Sequence, residues 1–351
     1  MEIGSEFWID DLPFEFKNEK PEWIKRFGNS VLTSSGRGAI SLLLEEVKPK
    51  KKIALLPAYT CETILIPFIE KGYKCYFYDI NMDMTPNIEN IEKYADIGIF
   101  LHMGFYGFPS NTGLSDVIKR FKAESTIIVE DITHTLFSQY PRFEENDYYV
   151  ASLRKWMGLP SGGFLASKYT IVSLPMINES LANYRKEALQ IKARYMNGEG
   201  EVLKQQYLGL FARGEVLLNR DWTPYDIDAI SIELLSALDV EWLREKRRAN
   251  FMALSEGLKA VEYLEPIFHS IPYGICPMFY TVYIKENRDQ IKQKLIEQKI
   301  YCPIHWPVSE QIKLDDLKVT AKIYGTVLSI PCDQRYEVQD MERIVSVLRK
   351  L

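Results

Sequence analysis

Four segments carry side chains whose types and spacing could do chemistry. In TSSGRGAISLLL, residues 33–44, a small-residue turn opens a helix, and Gly36, Arg37 and Gly38 lie on it. Backbone N–H groups at such a helix start form a nest for an anion, and Arg37 adds a charge. An N-cap and turn without a ligand reads equally well. The motif is not G-x-G-x-x-G, so a dinucleotide fingerprint is absent. In IIVEDITHT, residues 127–135, three apolar residues run into Glu130 and Asp131, with His134 behind them. A carboxylate ending a central strand lies where doubly wound sheets bind ligands, although it also serves as a cap. In YYVASLRKWMGLPSGGFLAS, residues 148–167, Ser152 and Lys155 have S-x-x-K spacing ahead of Gly162-Gly163. A lysine at the mouth of a parallel sheet, among apolar neighbours, is a candidate nucleophile. Serine acylases share that spacing but add S-D-N and K-T-G, both missing here. In CPIHWP, residues 302–307, His305 either lines a pocket or packs within a turn.

A phosphate nest, a carboxylate and a strand-end lysine, in that chain order, are what pyridoxal phosphate (PLP) chemistry needs. The nest holds the phosphate. The carboxylate keeps the pyridine nitrogen protonated, so the ring accepts electrons. The lysine forms the Schiff base.

Alternating elements must position these groups. Strand-like runs fall at 52–57, 74–79, 96–103, 125–131, 148–153 and 162–167, with helix-like runs at 60–71 and 113–123. That alternation predicts an α/β fold with a mostly parallel sheet covered on both faces. Residues 178–216 are polar with helical spacing, and 230–259 read as one long helix or two. The charged run EWLREKRR within the latter reads as a solvated face. Residues 276–284 are β-like and open a small α/β domain. The last helix is predicted to align Met341, Ile344, Val345, Leu348 and Leu351 on one face. The expected division is a large PLP-binding domain over 1–235, including the N-terminal segment, and a small C-terminal domain over 236–351.

Composition bounds the partners. The 351 residues are 46% hydrophobic and 26% charged, ordinary for a globular protein. A net charge of −5 argues against a nucleic-acid footprint. Five cysteines, an odd number without C-x-x-C spacing, argue against a disulfide framework or a zinc site and favour a reducing cytoplasm. The acidic, interrupted N-terminus does not read as a signal peptide, and Pro57, Glu62 and Pro67 break the most apolar stretch, so no membrane span is expected.

With these motifs in place, the sequence resembles the DegT-type sugar aminotransferases, PLP enzymes of fold type I. SSGRGAISLLL occupies the place of the family's S-G-T-A-A-L, and LLPAYTCETILIPFIEKGYKCYFYDIN that of its P-S-Y-T-F turn, helix and strand. FLHMGFYGFPS is similar to V-H-L-Y-G-x-P, and VEDITHTLF to V-E-D-A-A-Q-A-x-G. The spacing from Lys155 to Gly162-Gly163 matches K-N-x-x-x-G-x-G-G, and VLSIPCDQRYEVQDMERIVSVLRK resembles the family's close.

The resemblance implies roles. Lys155 is the Schiff-base lysine and proton-moving base, and Asp131 the partner of the pyridine nitrogen. His134 faces the cofactor's 3-hydroxyl, where Gln is common, and brings a titratable ring. Gly36, Arg37, Gly38 and Ser152 lie along the phosphate, with Arg37 replacing a small Thr. Cys61 stands where an aromatic ring usually covers the cofactor, and Tyr59 is the neighbour that could take its place. His305 and Tyr59 are candidate substrate contacts. The implied activity moves an amino group, from glutamate, to a keto group of a nucleotide-linked sugar or similar small ketone. It is expected in a cytoplasmic homodimer with shared sites. The alternatives are another PLP reaction, such as decarboxylation or elimination, and a non-catalytic sugar-nucleotide-binding relative.

Overall fold

The computed structural model describes residues 2–10, 19–178 and 180–351. Residues 11–18, part of the acidic N-terminal stretch, lie outside the described residues.

Strands form where short apolar, β-branched or aromatic runs end at turn residues. They are β1 (Asn29–Thr33), β2 (Ile53–Pro57), β3 (Lys74–Tyr78), β4 (Ile99–Met103), β5 (Ile127–Asp131), β6 (Tyr148–Ser152) and β7 (Gly163–Ser167). Together they make a seven-stranded sheet in the order β1-β7-β6-β5-β4-β2-β3. The pairs β6–β5, β5–β4, β4–β2 and β2–β3 are parallel, while β7 is antiparallel to both β6 and β1. This is the mostly parallel sheet that the alternation predicts, extended by β1, which the sequence pattern does not announce. Helices α1 (Gly36–Glu46), α2 (Glu62–Glu70), α3 (Ile88–Glu92) and α4 (Ser115–Ala123) connect these strands.

Alternation along the central strands sends side chains into two separate cores. Val150 and Leu165 join the cluster under α1, α2 and α4, whereas Ala151, Phe164 and Ala166 join one that contains Trp156 and Leu243. The sheet is therefore buried on both faces, as parallel sheets generally are.

Beyond β7 the chain is helical, as expected: α5 (Ser180–Met196), α6 (Val202–Arg220), α7 (Ala229–Ser236) and α8 (Val240–Leu258). The expected 230–259 stretch is two helices, with Asp239 capping the second through its bond from Trp242 N. The solvated-face reading of EWLREKRR is corrected. Arg244 and Arg247 are buried, and Arg247 donates to the carbonyls of Pro277, Met278 and Trp156 and to Gln334. A charge run carries no mark of which cations will meet buried carbonyls.

A second, antiparallel sheet has the order β10-β9-β8, from β8 (Leu264–Pro266), β9 (Phe279–Ile284) and β10 (Val327–Pro331). With it come α9 (Arg288–Glu297), α10 (Lys318–Thr326) and α11 (Val338–Leu348). Met341, Ile344, Val345 and Leu348 face its core, but α11 ends at Leu348 and Leu351 is exposed, so Leu351 leaves the predicted stripe. The start of the chain docks here too. Ile3 N donates to Lys299 O, Tyr301 N to Ile3 O, and Gly4 N to the Tyr336 hydroxyl.

Candidate active site

A cavity of roughly 400 Å³ opens at the carboxyl ends of β5 and β6, between the two sheets. Its wall includes Gly36, Arg37, Cys61, Asp131, His134, Ser152, Lys155 and His305. Residues from four separated segments therefore meet in one place. Two expected contacts do not line it. Tyr59 is wholly buried, its hydroxyl bonded to the Tyr106 hydroxyl and the His305 carbonyl and its ring against Trp306 and Tyr324. It supports the wall from behind and is not its surface. Gly38 N is already taken by the Ser35 hydroxyl at 3.0 Å, which caps α1.

The lysine segment is built by close backbone packing. After β6 the chain makes one 3₁₀ turn, Leu153–Lys155, and Trp156 plugs into the core. Lys155 is exposed on the cavity wall and makes no hydrogen bond or ion pair with any described residue. A Cβ on Gly163 would stand 2.3 Å from the Ser35 carbonyl carbon and 2.5 Å from Gly36 N. The glycine pair thus lets β7 pass against the start of α1. A Cβ on Gly36 would in turn meet Ser152 Cβ at 2.8 Å, so helix start and strand end are in contact.

Thr133, which carries no motif of its own in the sequence, joins the pieces. Its N–H donates to Asp131 Oδ1 at 2.8 Å, its hydroxyl accepts from Ser152 N at 3.0 Å, and its carbonyl accepts from Trp156 Nε1 at 2.7 Å. One residue fixes the carboxylate, the strand end and the lysine's neighbour. Its only local signal is its place two residues after Asp131, the spacing of an Asx turn.

Burial sets the protonation of the site. The Asp131 carboxyl is pushed up to about 6, mainly by burial, with bonds from Thr133 pulling it down. Burial, then the nearby Lys155 charge, pushes His134 down to about 3. The ring that replaces the usual Gln is therefore neutral across the physiological range. His134 Nδ1 accepts from Tyr106 N at 3.2 Å, and the ring stacks on Trp306. His305 is also held well below its ordinary value, by burial, His134 and Lys155, and its Nδ1 pairs with the Ser329 hydroxyl at 2.8 Å. It both lines the cavity and packs in its turn.

At the helix end of the cavity, Arg37 bonds the Leu218 carbonyl and lies over Trp222. Arg154 reaches Glu215 at 3.2 Å. The Nε atoms of Arg37 and Arg154 are buried with no hydrogen-bond partner among the described residues. Two orphaned cationic donors beside a helix N-terminus suit an anion. Residues Gly4–Phe7 also line the cavity, a contribution that nothing local in the sequence signals.

The profile of the DegT/DnrJ/EryC1/StrS aminotransferase family matches residues 228–349. The match covers the C-terminal third of the chain. Its fold is that of known aminotransferases over nearly the whole length. Helicobacter pylori PseC, an aminotransferase involved in the biosynthesis of pseudoaminic acid, shares 14% identity over 99% of each chain, with a TM-score of 0.70. The aminotransferase TlmJ of Streptoalloteichus hindustanus shares 16% over 94% of this chain and 88% of its own, with a TM-score of 0.68. Spr1654 of Streptococcus pneumoniae, in its PLP form, shares 15% over 98% and 93%, also at 0.68. At these identities the structural likeness is one of fold. No curated protein matches the chain significantly by sequence.

Aminotransferases of the DegT family use PLP, and the cavity fits it. The α1 start and the two arginine donors would suit its phosphate, the buried Asp131 its ring nitrogen, and Lys155 its aldehyde. No described helix is long and apolar enough to cross a membrane, and no metal-binding cluster occurs among the described residues.

Proposed function

We propose that this chain is a DegT-type aminotransferase that transfers an amino group from glutamate to a keto group of a nucleotide-linked sugar or similar small ketone. The observation that carries the reading is the convergence of Lys155, Asp131, His134 and the α1 start on one cavity. Bound PLP supplies an aldehyde that takes up the amino group and a protonated ring that draws electrons from the bond being broken.

The chain's own residues do the rest. Lys155 Nζ would hold the aldehyde end and, as a free amine, would carry the proton at the substrate carbon. Asp131, ionised beside a cationic ring nitrogen, keeps that nitrogen protonated. A cation there also offsets the burial that raises its pKa. The neutral His134 ring offers its one N–H to the 3-hydroxyl oxygen. Gly36, Arg37 and Ser152 receive the phosphate. Trp306 and Phe279 wall off water on the small-domain side.

A homodimer with shared sites is part of the reading. Val172, Leu174, Met176 and Ile177 are exposed together, an apolar strip suited to a second copy.

The test is an absorbance spectrum of the PLP-loaded protein, then borohydride reduction and peptide mass. A pyridoxyl adduct on Lys155, with amino transfer from glutamate to a keto sugar nucleotide, is expected. PLP loading without an adduct on Lys155 would sink the catalytic reading.

A further inference from the structure

Arg185, on α5, is a nearly buried cation that reaches the cavity from the side of the N-terminal segment. Its Nε is anchored on the Leu159 carbonyl at 3.0 Å, and its guanidinium lies over Phe211. The Nη atoms meet two carboxylates, Glu6 at 3.2 Å and Glu215 at 4.0 Å. Glu215 belongs more closely to Arg154, at 3.2 Å. Glu6 is thus the main counter-ion of Arg185.

That pairing is loose on one side only. The backbone of the N-terminal segment is fixed. Arg335 Nη1 donates to Ser5 O at 2.8 Å and Glu6 O at 3.0 Å, Lys192 Nζ donates to the Ser5 hydroxyl at 2.8 Å, and Gly4 N to Tyr336. The Glu6 side chain, by contrast, is 51% exposed and touches Arg185 through one N–O contact. A guanidinium prefers a two-pronged grip on a carboxylate, which this arrangement does not provide. Rotation of the Glu6 side chain alone would free Arg185 without moving the wall.

We propose that Arg185 is the receptor for the amino donor's carboxylate, and that Glu6 fills this place until the donor arrives. The inference rests on the transamination reading. It ties the donor class, an amino acid, to a group facing Lys155's cavity. The position is consistent with that use. Although burial opposes it, Arg185, Lys155 and Lys192 together hold the Glu6 carboxyl below its ordinary value, so a carboxylate here lies within the field of Lys155. An internal competitor lowers apparent affinity by the fraction of time it occupies the site, so its removal tightens binding.

The experiment is calorimetric titration of full-length, PLP-treated protein with glutarate, an unreactive dicarboxylate, and with neutral glutaramide. Glu6→Gln is expected to bind glutarate about tenfold tighter than wild type, as for a site that Glu6 fills roughly 90% of the time, with glutaramide unchanged. Arg185→Lys is expected to bind glutarate about tenfold more weakly. Equal or weaker glutarate binding by Glu6→Gln, no measurable binding, or an equal gain for glutaramide would overturn the assignment. Glu6→Gln decides even if Arg185→Lys misfolds, because the fixed backbone of the segment is untouched. If Glu6→Gln tightens glutarate but no adduct forms on Lys155, the carboxylate site stands and transamination falls. An adduct without tightening leaves transamination standing and removes the carboxylate site.

Discussion

The backbone N–H of Tyr106 donates to His134 Nδ1 at 3.2 Å. That bond fixes the tautomer: in the neutral ring the proton sits on Nε2. With its pKa pushed down to about 3, His134 is a permanent single donor, not a titrating group.

His134→Gln should therefore retain activity within about tenfold, since an amide also offers both an acceptor and a donor. His134→Ala should lose on the order of a hundredfold. Stability gives a second reading. A histidine depressed from 6.5 to about 3 contributes stability that is full above 6.5 and lost as pH falls through 3. Urea denaturation of His134→Gln should show a flatter acid limb than wild type between those values. Identical limbs would mean the ring is charged in the folded protein.

Asp131 runs the other way. Its carboxyl, raised from 3.8 to about 6, makes the PLP-free protein most stable below 3.8 with respect to this group, and that contribution is lost as pH rises through 6. Asp131→Asn keeps an oxygen for Thr133 N and removes the buried charge. The PLP-free variant should gain about 2 kcal/mol over wild type at pH 8, with little gain at pH 4. Its activity with PLP should fall by several orders of magnitude. Equal stability of both proteins at pH 8 would contradict the burial argument.

Thr133→Val removes the hydroxyl that accepts from Ser152 N and leaves that N–H without its acceptor. The cost should be about 1–2 kcal/mol. Because the Thr133 carbonyl also holds Trp156 beside Lys155, a lower kcat with nearly unchanged KM is expected. Thr133→Ser should restore both stability and rate. Failure of that rescue would confine the residue to ordinary packing.

Gly163→Ala forces a methyl group into the Ser35–Gly36 peptide at 2.3–2.5 Å. Backbone must move at the start of α1, at a cost of about 2–3 kcal/mol. Thermal melting should drop, and PLP affinity should weaken, because the displaced peptide is the proposed phosphate seat. Unchanged affinity in a destabilised variant would separate the seat from the glycine.

Much of the fold and the site is legible in the sequence because the signals are local. A buried or half-buried strand shows as a short apolar run, and β2 through β7 do. The carboxylate, the lysine and the glycine pair sit at the ends of such runs, so topology alone brings them together. β1 is hidden because NSVLT is short, half-exposed at its start, and owes its place to antiparallel pairing with β7. Glu6 and Arg185 meet across 179 positions of chain, with nothing nearby to mark either. Arg247 looks like a surface charge because carbonyls that satisfy a buried cation leave no trace in residue type. Tyr59 sits one layer behind its expected place for a related reason, since the turn fixes its neighbourhood and not its direction.

The docking of Gly4 against Tyr336 has a consequence for how the enzyme is made and handled. The two are 332 positions apart, so Gly4 cannot settle until Tyr336 has been made. The large sheet has all its strands by Ser167 and can fold early. The pocket cannot close until Tyr336 has been translated. A bulky group joined at Glu2 would sit beside that late closure and should slow or spoil it. The same group joined at the exposed Leu351 should leave it alone.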